Sequence, residues 1–426
     1  MPATIVWERV HNVVNAANFD PGAGVVNVSG GTLVAFVSAN AGGGTVFRST
    51  HHGRTWTQVT TIASSGRLLG RLLRATDGSL IVGEIFAGAA FQLRLHRSTD
   101  NGTTWSVAYT NPVLSAYTHA AVLANSDRLL MGGLLQAGAE VLRSDTHGAS
   151  WGNITVVQGT TWFSVASLVH LGSGTILAGG QCGDPPTDVQ IARSLDNGAT
   201  WALISPRLPG PIGAGLFPFV WDLLSLGNNV VLACGLARDT DGNDAPWVWR
   251  STDGGLTWVR IDPSNIVGVV VGPQNVYECS SMLQLDANHV VLCLGGTTAL
   301  NDPQWRLSTD GGQTFTVQTT FAPGHNHGGV GDESFQMALT DEGHVIAPLS
   351  KGSTFEIWLG VVSGVAGPPS PGMRPPLGPE RVFLTSPEPV APDTLRVVPQ
   401  ASRRLRVNLV PRRAPMFGRR WPYRYP

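Results

Sequence analysis

The stretch STDGGLTW (251–258) decides the fold, because the chain spells it six times. Three close copies are STDNGTTW (98–105), SLDNGATW (194–201) and STDGGQTF (308–315). Two degraded ones are STHHGRTW (49–56) and SDTHGASW (144–151). Successive copies start 49, 46, 50, 57 and 57 residues apart. Self-similarity at a period of about 40–50 residues marks a propeller or solenoid. PWVWR (246–250) precedes the copy at 251 and WVRID (258–262) overlaps its end, so the octamer reads as a hairpin turn between two apolar strands. Its Ser and Asp side chains suit hydrogen bonds to backbone amides within the turn. Gly255, with Gly102, Gly198 and Gly312, allows a positive φ. The closing Trp or Phe is an apolar wedge at the start of the next strand.

Each repeat shows the same order of strands. The fifth reads FVWDLLSL, NNVVLACG, PWVWRSTD and WVRI; the sixth reads YECSSMLQL, HVVLCLGG, PQWRLSTD and FTVQTT. Three further strands, ESFQMALT, HVIAPLSK and FEIWLGVV, lie within 333–362 and lack a fourth. At the other end TIVWERVHNVV (4–14) is one orphan strand, with Trp7 where an octamer Trp opens strand four elsewhere. Joining the two ends makes a seventh unit and leaves no open edge. The expectation is an all-β, seven-bladed β-propeller of four-stranded antiparallel blades over 1–364, closed by the N-terminal strand in the last blade.

These octamers resemble the Asp boxes, or BNR repeats, of sialidase-like β-propellers, over roughly residues 1–364. The resemblance implies that each box lies between the third and fourth strands of a blade, away from the ligand face. It is specific for fold and weak for activity, because such boxes occur in sialidases, xyloglucanases, sortilin-type receptors, photosystem assembly factors and phage adhesins. A sialidase would carry an arginine triad, a Tyr–Glu nucleophile pair and an Asp acid, with an Arg-Ile-Pro stretch before the first box. No such stretch exists; the nearest string is Arg207-Leu208-Pro209, in mid-chain. Tyr277 and Glu278 are adjacent, so strand alternation turns them to opposite faces. Glu278 and Glu333 remain as a two-carboxylate pair for glycoside hydrolysis.

Composition bounds the rest. Hydrophobic residues make up 42% of 426 residues, enough for stacked sheets, and no apolar run is long enough for a membrane span. The start MPATIVWERV reads as a strand, without a secretory signal, which points to synthesis in a cytoplasm. Cys182, Cys234, Cys279 and Cys293 show no metal-ligand spacing and read as buried thiols, not as a disulfide framework. A single Lys against 27 Arg reads as GC-rich coding.

From Val365 the repeat stops. Residues 365–426 hold 14 of the 29 prolines and 11 arginines against three acids, a net charge of +8, while 1–364 carry −9. Such a segment builds no core of its own. It reads as an extended Pro/Arg-rich arm that lies on the acidic ring, threads a partner or stays solvated. Arg403, Arg404, Arg406, Arg412, Arg413, Arg419, Arg420, Trp421, Tyr423 and Tyr425 are its candidate partner-binding residues. LRVVP and LRVNLVP suit strand addition to another sheet. Nucleic acid is the lesser reading, because the rest of the chain is acidic.

Ligands of a propeller meet the openings of its inner strands. Alignment of the repeats puts Asp20, Arg67, Ala116, Phe163, Phe219, Glu278 and Glu333 there. This mixture of Arg, aromatic and carboxylate suits a carbohydrate; lining a water-filled channel is the plainer alternative. DTDGND (239–244) resembles calcium-binding turns, but its Gly is misplaced. GHNHGG (324–329) offers His325 and His327 without a third ligand. No metal and no cofactor is expected. The expected function is a non-catalytic binding and assembly module, a bacteriophage virion component (tail, fibre or capsid decoration) that binds a host-surface glycan or partner protein. The alternatives are a sialidase-type glycoside hydrolase and a cytoplasmic assembly scaffold.

Overall fold

A computed structural model describes residues 3–14, 19–39, 43–62, 67–87, 91–111, 120–123, 127–135, 138–155, 165–180, 190–204, 208, 219–238, 244–261, 277–296, 304–320, 336–351 and 354–365. The chain divides into two units, Met1–Met373 and Arg374–Pro426. The second unit lies outside the described residues, and so does the expected arm beyond Val365.

The described part is all-β. Strand β1 (Thr4–Val14) opens the chain. Sheet one is β2 (Phe19–Ser29), β3 (Thr32–Ala39), β4 (Gly44–Ser49) and β5 (Thr57–Ile62). Sheet two is β6 (Arg67–Arg74), β7 (Leu80–Ala87), β8 (Phe91–Ser98) and β9 (Ser106–Asn111). Sheet three is β10 (Ala120–Leu123), β11 (Leu129–Leu135), β12 (Gly138–Ser144) and β13 (Gly152–Thr155). Sheet four is β14 (Ser167–Gly172), β15 (Thr175–Gly179), β16 (Ile191–Ser194) and β17 (Ala202–Leu203). Sheet five is β18 (Phe219–Gly227), β19 (Val230–Arg238), β20 (Asp244–Ser251) and β21 (Val259–Ile261). Sheet six is β22 (Tyr277–Gln284), β23 (Val290–Gly296), β24 (Gln304–Ser308) and β25 (Thr316–Thr320). Sheet seven is β26 (Ala338–Leu339), β27 (Val345–Lys351) and β28 (Thr354–Ser363), with β1 on its outer edge. β1 runs antiparallel to β28 from Thr4 opposite Ser363 to Val14 opposite Thr354. Trp7 faces Gly360 there, where Trp56 of sheet one stands beside the residue facing Arg48.

The second strand of each sheet is buried on both faces, and this explains its unbroken apolar run. In β23, Val290, Leu292 and Leu294 pack with sheet five, while Val291 and Cys293 pack with sheet seven. In β3, Leu33, Ala35 and Val37 pack with sheet seven, while Val34 and Phe36 pack with sheet two. Every consecutive pair of sheets shares an apolar cluster of this kind, and sheet seven shares one with sheet one. Each fully buried Val, Leu, Ile or Phe contributes about 1.5–3 kcal/mol relative to exposure.

The octamers lie between the third and fourth strands and fasten the sheets together. Ser251 Oγ accepts from the amides of Gly255 (2.8 Å) and Asp253 (3.3 Å) and donates to Asp253 Oδ1 (2.8 Å). Asp253 Oδ1 also accepts from the Thr257 amide at 2.9 Å. The Trp258 indole donates to the Gly255 carbonyl at 2.9 Å. Gly255 has φ +83°, and a Cβ there would run into Leu177 on the second strand of sheet four. The other five octamer glycines meet the preceding sheet in the same way, Gly53 on Ile346, Gly102 on Val34, Gly148 on Ile81, Gly198 on Leu130 and Gly312 on Leu232.

The cysteine expectation is corrected. Cys234 of β19 and Cys279 of β22 form a disulfide between sheets five and six. The two are 45 residues apart on different sheets, so only the packing of those sheets brings them together, and chain spacing carries no sign of it. Cys293 is buried, and Cys182 lies outside the described residues.

Candidate functional site

The innermost strands, β2, β6, β10, β14, β18, β22 and β26, open their sheets at one edge. Bonds between sheets that are not neighbours show that these strands meet near a common axis. Arg71 of sheet two forms an ion pair with Asp222 of sheet five. Asp222 is buried, and its Oδ1 also accepts from the Leu223 amide (2.9 Å) and at longer range from Ser167 Oγ of sheet four (3.4 Å). Its Oδ2 accepts from the Met282 amide of sheet six at 2.8 Å. One carboxylate thus ties four sheets through charge-assisted bonds. Gln336, just before β26, bonds both the amide and the carbonyl of Leu72 in β6, at 2.9 and 3.1 Å. It does so across Gly24 of sheet one, where a Cβ would crowd the Gln336 amide. Arg71 Nε and Ser280 Oγ have no partner among the described residues.

β-Bulges aim these side chains. Register shifts fall between Leu69 and Leu73, between Val220 and Asp222, and between Cys279 and Ser281. An extra residue in one strand bends it and re-aims its side chains. Trp221 is the extra residue of β18, and Ser280 holds the same place in β22.

Of the residues aligned at the strand openings, Arg67 and Phe219 are the first residues of β6 and β18, and Asp20 and Glu278 the second residues of β2 and β22. The side chains of Asp20, Arg67 and Glu278 lie outside the described residues, as do Phe163, Glu333 and Ala116 altogether. Phe219 is half-buried and stacks on buried Trp221, with centroids 4.0 Å apart and planes 17° apart. An aromatic face therefore lies at an inner-strand opening, three residues before the axial carboxylate. Sequence reasoning missed Arg71, Asp222, Ser167 and Gln336. The visible signal was one acid inside the apolar run FVWDLLSL (219–226).

DTDGND reaches the described residues only at Asp244, the first residue of β20, and GHNHGG lies outside them. Among the described residues no group of three or more His, Cys, Asp or Glu side chains is placed to hold a metal ion. No helix among them is long and apolar enough to cross a membrane.

No family model matches the chain, and no curated protein matches it. Solved structures do resemble it. YCF48 bound to D1 peptide aligns with a TM-score of 0.50 at 12% identity, covering 85% of this chain and 97% of that one. Such a likeness speaks for the fold: an all-β propeller of four-stranded antiparallel blades. Also similar are a polysaccharide lyase, PL25 ulvan lyase (TM-score 0.48, 13% identity, 69% and 80% covered), and Penicillium chrysogenum α-L-arabinanase complexed with arabinobiose (0.45, 12%, 83% and 98%).

Proposed function

We propose that this chain is a non-catalytic binding and assembly module, a closed seven-bladed propeller that holds a glycan or a partner protein at the mouth of its channel. Seven sheets in a cycle of shared apolar clusters support the ring. The observation that carries the binding reading is the Phe219–Trp221 stack at an inner-strand opening. A half-buried ring backed by a second ring is a rigid, pre-organised platform for the apolar face of a sugar. The axial carboxylate argues against catalysis at that level. Asp222 is bound to donors from four sheets, and a general base needs a free, positioned oxygen.

Asp20, Arg67, Phe163, Glu278 and Glu333 complete the proposed rim and would bind hydroxyl or charged groups around the platform. Residues 365–426 are the proposed anchor, and a bacteriophage virion is the proposed setting. The partner-seeking composition of that segment supports this. The Cys234–Cys279 disulfide suits a particle that works outside a reducing cytoplasm.

The test is a glycan microarray probed with the full chain, run beside turnover assays on fluorogenic sialosides and arabinosides. Selective retention of one glycan class without turnover is expected. Turnover by the wild-type chain would make it a glycoside hydrolase instead.

A further inference from the structure

The repeat supplies its own controls for a second site. Five octamers are preceded by an arginine: Arg48, Arg97, Arg143, Arg193 and Arg250. Four of these are occupied. Arg48 donates to Thr103 Oγ1 (3.1 Å), Arg97 Nε to the His147 carbonyl (2.9 Å) and Arg250 Nε to the Gly311 carbonyl (3.0 Å), each in the octamer of the next sheet. Arg143 Nε donates to Asp145 at 2.7 Å. Arg193 makes no such bond among the described residues, and its Nε is buried without a partner. Leaving a buried donor unpaired is costly, more so for a charged group.

Two further departures from the repeat fall at the same place. The second octamer position is Thr50, Thr99, Asp145, Thr252 or Thr309 elsewhere, but Leu195 in sheet four. The sixth position is Arg54, Thr103, Ala149, Ala199 or Gln313 elsewhere, but Leu256 in sheet five. Leu195 is 65% exposed and Leu256 43%. With Arg193, Trp201 and Leu203 they line one cavity of about 350 Å³. Its floor is β17, the outer strand of sheet four, which pairs over only two residues and has no neighbour on its other side among the described residues.

We infer that this groove docks an extended protein segment carrying an aliphatic side chain two residues from a carboxylate, so that both point to the same face. The aliphatic group fills the space between Leu195, Leu203 and Leu256. The carboxylate pairs with the Arg193 guanidinium, whose Nε has no partner among the described residues, as Asp77 and Asp145 pair with Arg97 and Arg143. The segment's backbone adds to the outer edge of β17, which has no neighbour among the described residues. This site lies on an outer strand and is independent of the channel mouth.

Fluorescence polarisation of the full chain with a labelled Ser-Ile-Ser-Asp-Ser-Gly peptide, whose Ile and Asp share one face when extended, tests it. The control peptide has Asn in place of Asp. The expected result is binding that weakens about tenfold or more with the Asn peptide, with Arg193→Gln and with Leu256→Ser. Arg48→Gln and Phe219→Ala should leave it unchanged. Leu256 is exposed, so its variant keeps the wild-type unfolding temperature and separates loss of binding from loss of folding. Equal binding of the two peptides, or no effect of Arg193→Gln, overturns the proposal. Displacement of the peptide by free glucuronate as effective as by unlabelled peptide overturns it too, making the groove an acidic-sugar site.

Discussion

Arg71 and Asp222, 151 residues apart in the chain, form a part-buried ion pair that joins inner strands of sheets two and five. Asp222 is 2% exposed and Arg71 17%. Removing one partner strands the other charge away from water, at a cost of about 3–5 kcal/mol. Asp222→Ala and Arg71→Ala are each expected to destabilise the chain by that order in urea unfolding. The double variant should lose less than the sum. Strict additivity would mean that the two do not act on each other.

The octamer serine is a second point of leverage. Ser251 Oγ serves two amides and Asp253 at once, and Ser49 serves the amides of Gly53 and His51 even where the Asp is missing. Ser251→Ala should therefore cost about 1–3 kcal/mol by leaving the Gly255 amide buried and unpaired. Gly255→Ala should cost more, because it adds a clash with Leu177 to a strained φ of +83°. Equal melting temperatures for wild type and Gly255→Ala would refute the fastening role.

Acid should loosen these turns. Burial raises the Asp196 and Asp253 carboxyls. Hydrogen bonds from Thr200 and Ser194, and from Thr257 and Ser251, outweigh it and hold both at about 2, below the ordinary 3.8. A depressed folded-state value stabilises above the unfolded value and is lost as pH falls through the folded one. The melting temperature should therefore drop between about pH 4 and pH 2. The drop should be shallower in Asp196→Asn/Asp253→Asn. Identical slopes for the two proteins would remove these carboxylates from the acid response.

The Cys234–Cys279 bond closes a 45-residue separation across two sheets. Cys279→Ser is expected to lower stability by about 2–4 kcal/mol under oxidising conditions. Wild type in excess dithiothreitol should approach the variant. No effect of reductant on the wild-type urea midpoint would show that the bond contributes nothing.

The fold was legible because STDGGLTW and its copies are local: their Ser, Asp, Gly and Trp act within eight residues. The pairing of β1 with β28 was legible for a similar reason, since an orphan strand and a three-stranded remainder complement each other. The axial site was not legible. Arg71, Ser167, Asp222 and Gln336 sit on four different sheets, and bulges at Val220–Asp222 and Leu69–Leu73 break the alternation by which a strand's inward side is read. Arg193 was hidden differently. Among the described residues it differs from its four counterparts in what it does not bond, and that shows only in three dimensions.

The proposed channel-mouth site is tested most directly by calorimetric titration of the glycan best retained on the array into wild type and Phe219→Ala. The expected result is an affinity loss of about tenfold or more in the variant, at an unchanged unfolding temperature. Equal affinity in the two proteins would contradict the assignment of the Phe219–Trp221 platform as the binding surface.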